Sequence, residues 1–202
     1  AGAQGVSAGS VRKNPSRERT TPSASRSATA SLSSSWIPIE RRSQTQVATT
    51  LVATAAIAEV HRPSRAWLSQ NASQLNLTHL KRLAPGEVVS TLEAWVKLEY
   101  HPGEDWMLDA DVALISHPQP FDPAHTARAL AALAALPGVS YRFPTFAALR
   151  LQKEGPDGYS YGQLSTMLRC LRHFGLALDR ATLDAVGVHM GSLLLRMTPQ
   201  EA

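Results

Sequence analysis

Apolar residues in the second half of the chain recur three or four positions apart. The clearest run is Leu164, Met167, Leu168, Leu171 and Phe174, which follows the period of one helix face. Such runs end at Pro-Gly in residues 137–138 and at glycine in residue 175. The pattern therefore predicts short helices separated by tight turns, and an all-α fold.

The apolar pattern itself repeats along the chain with a 38-residue period. Residues 83–98 align with residues 121–136 and with residues 159–174 without insertion, and a third step reaches residues 197–199. The shared apolar columns are Leu92, Leu130 and Leu168; Trp95, Leu133 and Leu171; and Leu98, Leu136 and Phe174. A fixed period of this length is typical of helical-repeat proteins.

An earlier, degenerate repeat is expected upstream. Ile57 and Val60 lie one period before Trp95 and Leu98, whereas the spacing from Trp67 to Trp106 is one position longer than the period. One residue of slippage in a turn accounts for both spacings. We divide the chain into an extension, residues 1–46, and a helical array, residues 47–202. The repeats are residues 47–82, 83–120, 121–158 and 159–196, with another starting at residue 197.

Residues that favour helix starts occupy equivalent places in the repeats. The expected N-caps are Asp122, Ser160 and Thr198, whose side-chain oxygens can accept a backbone N–H. Gln163 and Glu201 complete two capping boxes. The expected first helical positions hold Pro85, Pro123 and Pro199.

A second helix with its own apolar stripe is expected in each repeat. In the last repeat its cap is Asp179 and its expected buried face is Leu183, Val186, Gly187, Met190, Leu193 and Leu194. The preceding second helices carry Trp106, Met107, Ala110, Val112 and Ala113, then Phe143, Phe146, Leu149 and Leu151. Gly187 and Gly191 would let a neighbouring helix approach closely.

Helix pairs with one stripe per helix cannot close a core alone, so neighbouring pairs must stack. The prediction is a right-handed α-solenoid of helix-turn-helix repeats, preceded by a long irregular extension. Because solenoids need polar capping repeats, we expect the array to continue beyond residue 202, or a partner to cover this end.

Positive charge is concentrated in the extension. Its seven cations face only Glu18 and Glu40, a net charge of +5, whereas the rest of the chain has 13 cations and 14 anions. The seven are Arg12, Lys13, Arg17, Arg19, Arg26, Arg41 and Arg42. Such a Ser- and Ala-rich segment is disordered alone, and its composition also describes organelle-targeting peptides. It is either a flexible terminus or, in the interpretation we favour, an arm that orders on RNA phosphates.

Three cations of the array, Arg65, Lys81 and Arg82, lie near the junction with the extension and are candidate phosphate contacts. An ordinary solvated surface is the alternative for all three. Elsewhere, residues 87–122 hold eight acidic residues against one lysine, Lys97, a surface that repels phosphate. This acidity disfavours base-by-base RNA reading by the repeats and favours a scaffold.

Catalytic, cofactor and metal chemistry find no support in the sequence. The single cysteine excludes a disulfide framework, and the histidines show no paired ligand spacing. Cys170 and His173 lie three apart without a third orienting group, so core packing is expected for the cysteine. Glu104, Asp105, Asp109 and Asp111 are expected to be solvated or to form a docking patch for a basic partner, rather than a metal site. We expect no enzyme, no small-molecule substrate and, with no apolar run near ~18 residues, no membrane insertion.

The 38-residue helix pair with a proline-containing turn running into tryptophan resembles the octotricopeptide repeats of green-algal organellar proteins. The turn that carries the resemblance is His101-Pro102-Gly103-Glu104-Asp105-Trp106, and residues 62–67 form a fainter copy ending in Trp67. The layout is also similar to the leader region of FAST-kinase-like proteins. The resemblance covers residues 47–202 and implies an organellar protein that acts on RNA.

These observations together give three functional expectations. The first is a non-enzymatic component of an organellar ribosome, mitochondrial rather than chloroplast, whose extension contacts rRNA and whose repeats pack on ribosomal proteins or rRNA. The second is a trans-acting RNA-binding factor for the stability or translation of one organellar transcript. The third is an accessory subunit of an organellar membrane complex that docks through residues 87–122.

Overall fold

The computed structural model describes residues 43–138 and 141–196, and all regular structure within these segments is helical. The helices are α1 (Gln44–Ala56), α2 (Arg65–Gln74), α3 (Leu77–Leu80), α4 (Pro85–Lys97), α5 (Glu104–Ile115), α6 (Pro123–Ala135), α7 (Arg142–Glu154), α8 (Tyr161–His173) and α9 (Arg180–Leu194). The all-α prediction is thereby confirmed. Within the described segments no helix combines the length and the apolar character needed to span a bilayer.

The helix starts follow the capping signals read from the sequence. Asp122 Oδ1 accepts the His125 N–H at 2.6 Å, and Asp179 Oδ1 accepts the Thr182 N–H at 2.7 Å. Ser160 and Gln163 form a reciprocal capping box at the start of α8. Pro85 and Pro123 are the first residues of α4 and α6. The predicted cap Thr198, with Pro199 and Glu201, lies outside the described residues.

Helices contact their neighbours in two rows. In the first row α4 packs on α1 and α6, and α6 packs on α8. In the second row α5 packs on α3 and α7, while α2, α7 and α9 contact the first-row helices α1, α6 and α8. The starts of α4, α6 and α8 are one period apart, and so are those of α5, α7 and α9. Large apolar side chains fill the space between helices, led by the fully buried Trp95, Leu92, Leu130 and Leu133.

Equivalent positions in the first row are packed alike. Ala94, Ala132 and Cys170, in successive first-row helices, are all buried. Their small side chains let α4, α6 and α8 lie close to one another. Trp95 of α4 also packs edge-on against Trp106 of α5, with ring centroids 5.9 Å apart.

The first helix differs from the expectation. It begins at Gln44, ahead of the predicted boundary at residue 47, because Ser43 caps it in a box with Gln46. It ends at Ala56, so Ile57 and Val60 lie beyond it, 54% and 92% exposed. The proposed equivalence of these two residues with Trp95 and Leu98 is therefore wrong. The residue types match at this spacing, but Ile57 and Val60 follow the last residue of α1.

The second half of the first repeat is broken into two helices. Asn76 interrupts it, because its side-chain oxygen accepts the His79 N–H at 3.3 Å and starts the short α3. It is α3 that packs on α5. The slippage inferred upstream is present, since the start of α2 at Arg65 and that of α5 at Glu104 are separated by one position more than the period.

The expected buried faces of the second helices are only partly buried. In α9, Val186 is buried, but Leu183, Gly187 and Leu194 are exposed. In α7, Phe143 and Leu151 are buried, whereas Phe146 and Leu149 are exposed. Open space surrounds the positions where a Cβ would stand at Gly187 and Gly191, so no described helix approaches them. Periodicity marks an apolar stripe, but it does not say whether another element covers it.

Candidate partner-binding surfaces

Two of the four acidic residues of α5 accept backbone N–H groups of other helices, whereas Glu104 and Asp105 are exposed, as expected. Asp109 Oδ2 accepts the Leu77 N–H at 2.9 Å, at the start of α3. Asp111 is fully buried, and its Oδ1 lies 3.3 Å from the Phe143 N–H that it accepts, at the start of α7. Carboxylates are favoured at helix N-termini because exposed amides and the helix dipole stabilise negative charge there. The expectation that Asp111 is solvated or part of a docking patch is wrong, and Asp109 is half-buried and already holds an internal partner.

Two further acids of this region, Glu93 and Glu87, are also engaged. Glu93 receives two hydrogen bonds from Arg128, at 2.8 Å to Oε1 and 2.6 Å to Oε2, across the α4–α6 contact. That hydrogen bonding raises the pKa of the Arg128 guanidinium. Glu87 Oε2 accepts the Ala84 N–H at 2.8 Å and so secures the start of α4. Residues 87–122 are thus less acidic toward solvent than their composition indicates.

Of the predicted phosphate contacts, the three that the structure describes do not all line the same cleft. The seven candidates of the extension, Arg12 to Arg42, lie outside the described residues. Arg65 is exposed at the start of α2 and lines a cleft that it shares with Glu59 and Glu99. Neither Lys81 nor Arg82, which follow α3, lines that cleft. Arg62 and Lys97 also line this cleft, so three cations and two glutamates make it electrostatically mixed.

Two other cations serve the fold. Arg150 donates to the Phe121 carbonyl oxygen and to Glu154, both at 2.7 Å, and ties α7 to the turn before α6. Arg62 pairs with Glu99 at 3.1 Å, an exposed contact between two inter-helix turns. Their charges are therefore partly neutralised by internal partners.

Cys170 does not have the surroundings of a nucleophile. Its side chain is buried on α8, and desolvation raises the pKa of the thiol, with Arg169 acting in the opposite direction. A raised pKa removes thiolate at neutral pH, and the thiolate is the reactive form. His173 is exposed and lies edge-on to Phe174, with ring centroids 5.3 Å apart. Within the described segments no three His, Cys, Asp or Glu side chains are arranged to hold a metal ion.

A groove of about 680 Å³ crosses the first-row helices α4, α6 and α8. We call it the alanine groove, because Ala124, Ala127, Ala131 and Ala132 of α6 form its floor. Its walls carry Glu93, Val96 and Lys97 from α4 and Gln163, Thr166 and Arg169 from α8. This groove was not predicted from the sequence. The available signal was the small residue at equivalent positions, Ala124 on α6 and Gly162 on α8.

An apolar cleft of about 600 Å³ lies between the α5–α6 turn and α7. Its apolar lining includes Pro118, Pro120, Phe121, Phe143, Phe146 and Leu149. Phe146 is 38% exposed and Leu149 58% exposed, and Leu108, one period before Phe146 on α5, is 44% exposed. Several large apolar side chains on one face of a soluble protein usually mark an interaction surface.

Comparison with protein-family models, with curated proteins and with solved structures returned no match for this chain.

Proposed function

We propose that the protein is a non-enzymatic helical scaffold of an organellar ribonucleoprotein, with a mitochondrial ribosome as the favoured particle. The observation that carries the proposal is the separation of charge. The extension, residues 1–46, carries a net +5, whereas residues 47–202 carry −1. In the described helices many polar groups are engaged in capping and ion pairing, which supports a packing role for the body.

The body is proposed to be an α-solenoid with a 38-residue period. Helix pairs whose starts are one period apart support this arrangement, and so do the main row contacts, which join neighbouring repeats. The buried Ala94, Ala132 and Cys170, at the same spacing, fit one packing unit used three times. The turn that resembles octotricopeptide repeats ends in Trp106, which is buried against Trp95.

The extension would contact RNA through its cations. Each lysine or arginine that neutralises a phosphate releases a counterion, which makes the affinity steeply salt-dependent. The exposed apolar residues of the second row, Leu108, Phe146 and Leu149, would be covered by a protein of the same particle. This division of labour needs no base-reading surface on the repeats.

Sedimentation of the tagged full-length protein from organelle lysate tests the proposal, with and without RNase and EDTA. Co-migration with a ribosomal subunit that survives high salt is the expected result. A light, RNase-sensitive particle would instead indicate a transcript-specific RNA-binding factor. Migration with a membrane complex, indifferent to RNase, would refute both RNA-based functions and favour the accessory subunit.

RNA binding by the purified chain gives an independent check. A full-length variant with the seven extension cations changed to alanine should bind oligouridine more weakly. Its slope of log affinity against log salt should be shallower by about 0.7 for each phosphate that is no longer neutralised, the value for single strands. An unchanged slope would show that the extension is not the RNA-binding element. Changing Arg65, Lys81 and Arg82 together is the matched test for the body.

A further inference from the structure

The alanine groove is shaped for close approach by another backbone. Its floor consists of alanine methyl groups on the central helix α6, and Gly162 lines its α8 side without a side chain. Apart from Gly162 itself, its two chain neighbours and the adjoining backbone of α8, no described atom lies within 4 Å of the Cβ position of Gly162. Small residues at such a surface allow a docked helix to lie close to the floor, as in other helix-in-groove complexes.

The charges of the groove are unequal. Arg128 and Glu93 neutralise each other through their two hydrogen bonds. Lys97 on the α4 wall and Arg169 on the α8 wall have no ion-pair partner among the described residues. The groove is therefore apolar along its floor and positive on both walls. Charge of this kind selects an oppositely charged partner more than it adds raw affinity.

The lining also distinguishes protein from RNA as the occupant. None of the residues that line the groove is aromatic. Single-stranded nucleic acids are held by aromatic platforms on which successive bases stack, together with a basic track. The groove has cations and an apolar floor but no aromatic platform on which bases could stack. An amphipathic helix could place its apolar face on the alanine floor and its acidic side chains beside the cations.

We propose that the alanine groove binds an acidic amphipathic helix of a partner protein. The helix would place its small apolar residues on Ala127 and Ala131, and its carboxylates beside Lys97 and Arg169. The inference rests on the proposed scaffold function, which it deepens by naming the chemistry of one protein partner. It is separate from the apolar cleft of the second row, which lacks the alanine floor.

Fluorescence anisotropy with the full-length protein tests the groove. The probe is a labelled peptide of about five helical turns, roughly 18 residues at 3.6 per turn, with alanine and leucine on one face and glutamate on the other. A peptide with lysine in place of glutamate is the charge control. We expect the acidic peptide to bind and the lysine peptide to bind at least about tenfold more weakly, because the walls are positive.

Variants of the protein localise the binding. The double variant Lys97→Glu, Arg169→Glu should bind the acidic peptide roughly tenfold or more weakly, since two attractive charge contacts become repulsive. Ala131→Leu should also weaken it by filling the floor. Arg172→Glu is the matched control, because Arg172 is exposed on the same helix but does not line the groove; its affinity should stay within about twofold. Far-UV circular dichroism checks that all variants are folded.

Three results would overturn the proposal: no binding of the acidic peptide, equal binding of both peptides, or affinity unchanged in both groove variants. A fourth is that the Lys97→Glu, Arg169→Glu protein loses oligouridine binding as fully as the extension variant, which would make the groove an RNA surface. The two proposals fail separately. If the wild-type protein sediments with a ribosomal subunit but does not bind the acidic peptide, only the groove proposal is refuted. If the peptide binds through the groove but the protein sediments with no ribonucleoprotein particle, only the ribonucleoprotein function is refuted.

Discussion

Replacing Asp111 by alanine should destabilise the protein, although Asp111 itself lines neither the alanine groove nor the apolar cleft. Asp111 is fully buried on α5 and accepts the Phe143 N–H at the start of α7. The N-cap residue of α7, Tyr141, makes no side-chain capping hydrogen bond. The carboxylate of α5 therefore supplies from a neighbouring helix the cap that α7 lacks.

Two contributions to the free energy of unfolding are lost in Asp111→Ala, and one opposing contribution is gained. A hydrogen bond to a charged group contributes about 1.5–3 kcal/mol, and negative charge at a helix N-terminus contributes about 0.3–1 kcal/mol, more when partly buried. Relief of carboxylate desolvation acts in the opposite direction. We expect a net loss of about 1–3 kcal/mol in the free energy of unfolding. For a body of this size each kcal/mol lowers Tm by about 2–4 °C.

Urea and thermal denaturation, followed by circular dichroism at the helix band, measure this loss. Asp111→Asn is the informative companion, because it keeps an acceptor oxygen of the same shape and should lose less stability than Asp111→Ala. Asp105→Ala is the matched control, since Asp105 is exposed in the first turn of the same helix. If Asp111→Ala changes the free energy of unfolding by less than about 0.5 kcal/mol, or stabilises the protein, desolvation outweighs capping and the reasoning fails.

Three further predictions concern glycine, thiol and acid behaviour. Gly187→Ala and Gly191→Ala should each stabilise α9 by about 0.5–1 kcal/mol, because alanine is the better helix former and the space is open; a loss measured by urea denaturation would indicate an undescribed neighbour. Gly103→Ala should destabilise, since Gly103 has a φ of +111°. Iodoacetamide should alkylate Cys170 at least about tenfold more slowly in the folded protein than in urea, because burial raises the pKa of the thiol; equal rates would contradict its burial. Hydrogen bonds from the Thr182 backbone and side chain lower the pKa of Asp179, so its stabilising effect is present above the unfolded pKa of about 3.9 and is lost as pH falls through the folded pKa. Asp179→Asn should remove that part of the acid dependence, and an unchanged pH profile of Tm would show that the cap does not contribute.

Several helix starts could be predicted, because they depend on local chemistry. Asp122, Ser160 and Asp179 each cap the helix that follows, and the capping atom lies within three residues of the amide it accepts. Where α1 ends could not be predicted in the same way. No proline or glycine follows Ala56 directly, and the apolar Ile57 and Val60 continue the stripe past the last helical turn.

The candidate surfaces were harder to predict, because they depend on contacts between helices. Asp109 and Asp111 are two positions apart, so on a helix they point to nearly opposite sides and reach different neighbours, α3 and α7. Composition alone counts both as surface acid. The alanine groove joins Lys97 and Arg169, which belong to different helices separated by α6. Neither residue carries a local signal that it faces a shared groove.

Helix α9 buries few residues, and this affects how readily it opens from the rest of the array. It buries Thr182 and Val186 alone, whereas α6 buries six residues. Opening α9 therefore exposes little apolar area and should need only a small part of the global unfolding free energy. Its amides should exchange with deuterium much sooner than those of α6, so that protection falls toward this side of the array. A partner that covers Leu183 and Leu194 would first slow exchange in α9, before it changed the temperature at which the whole body melts.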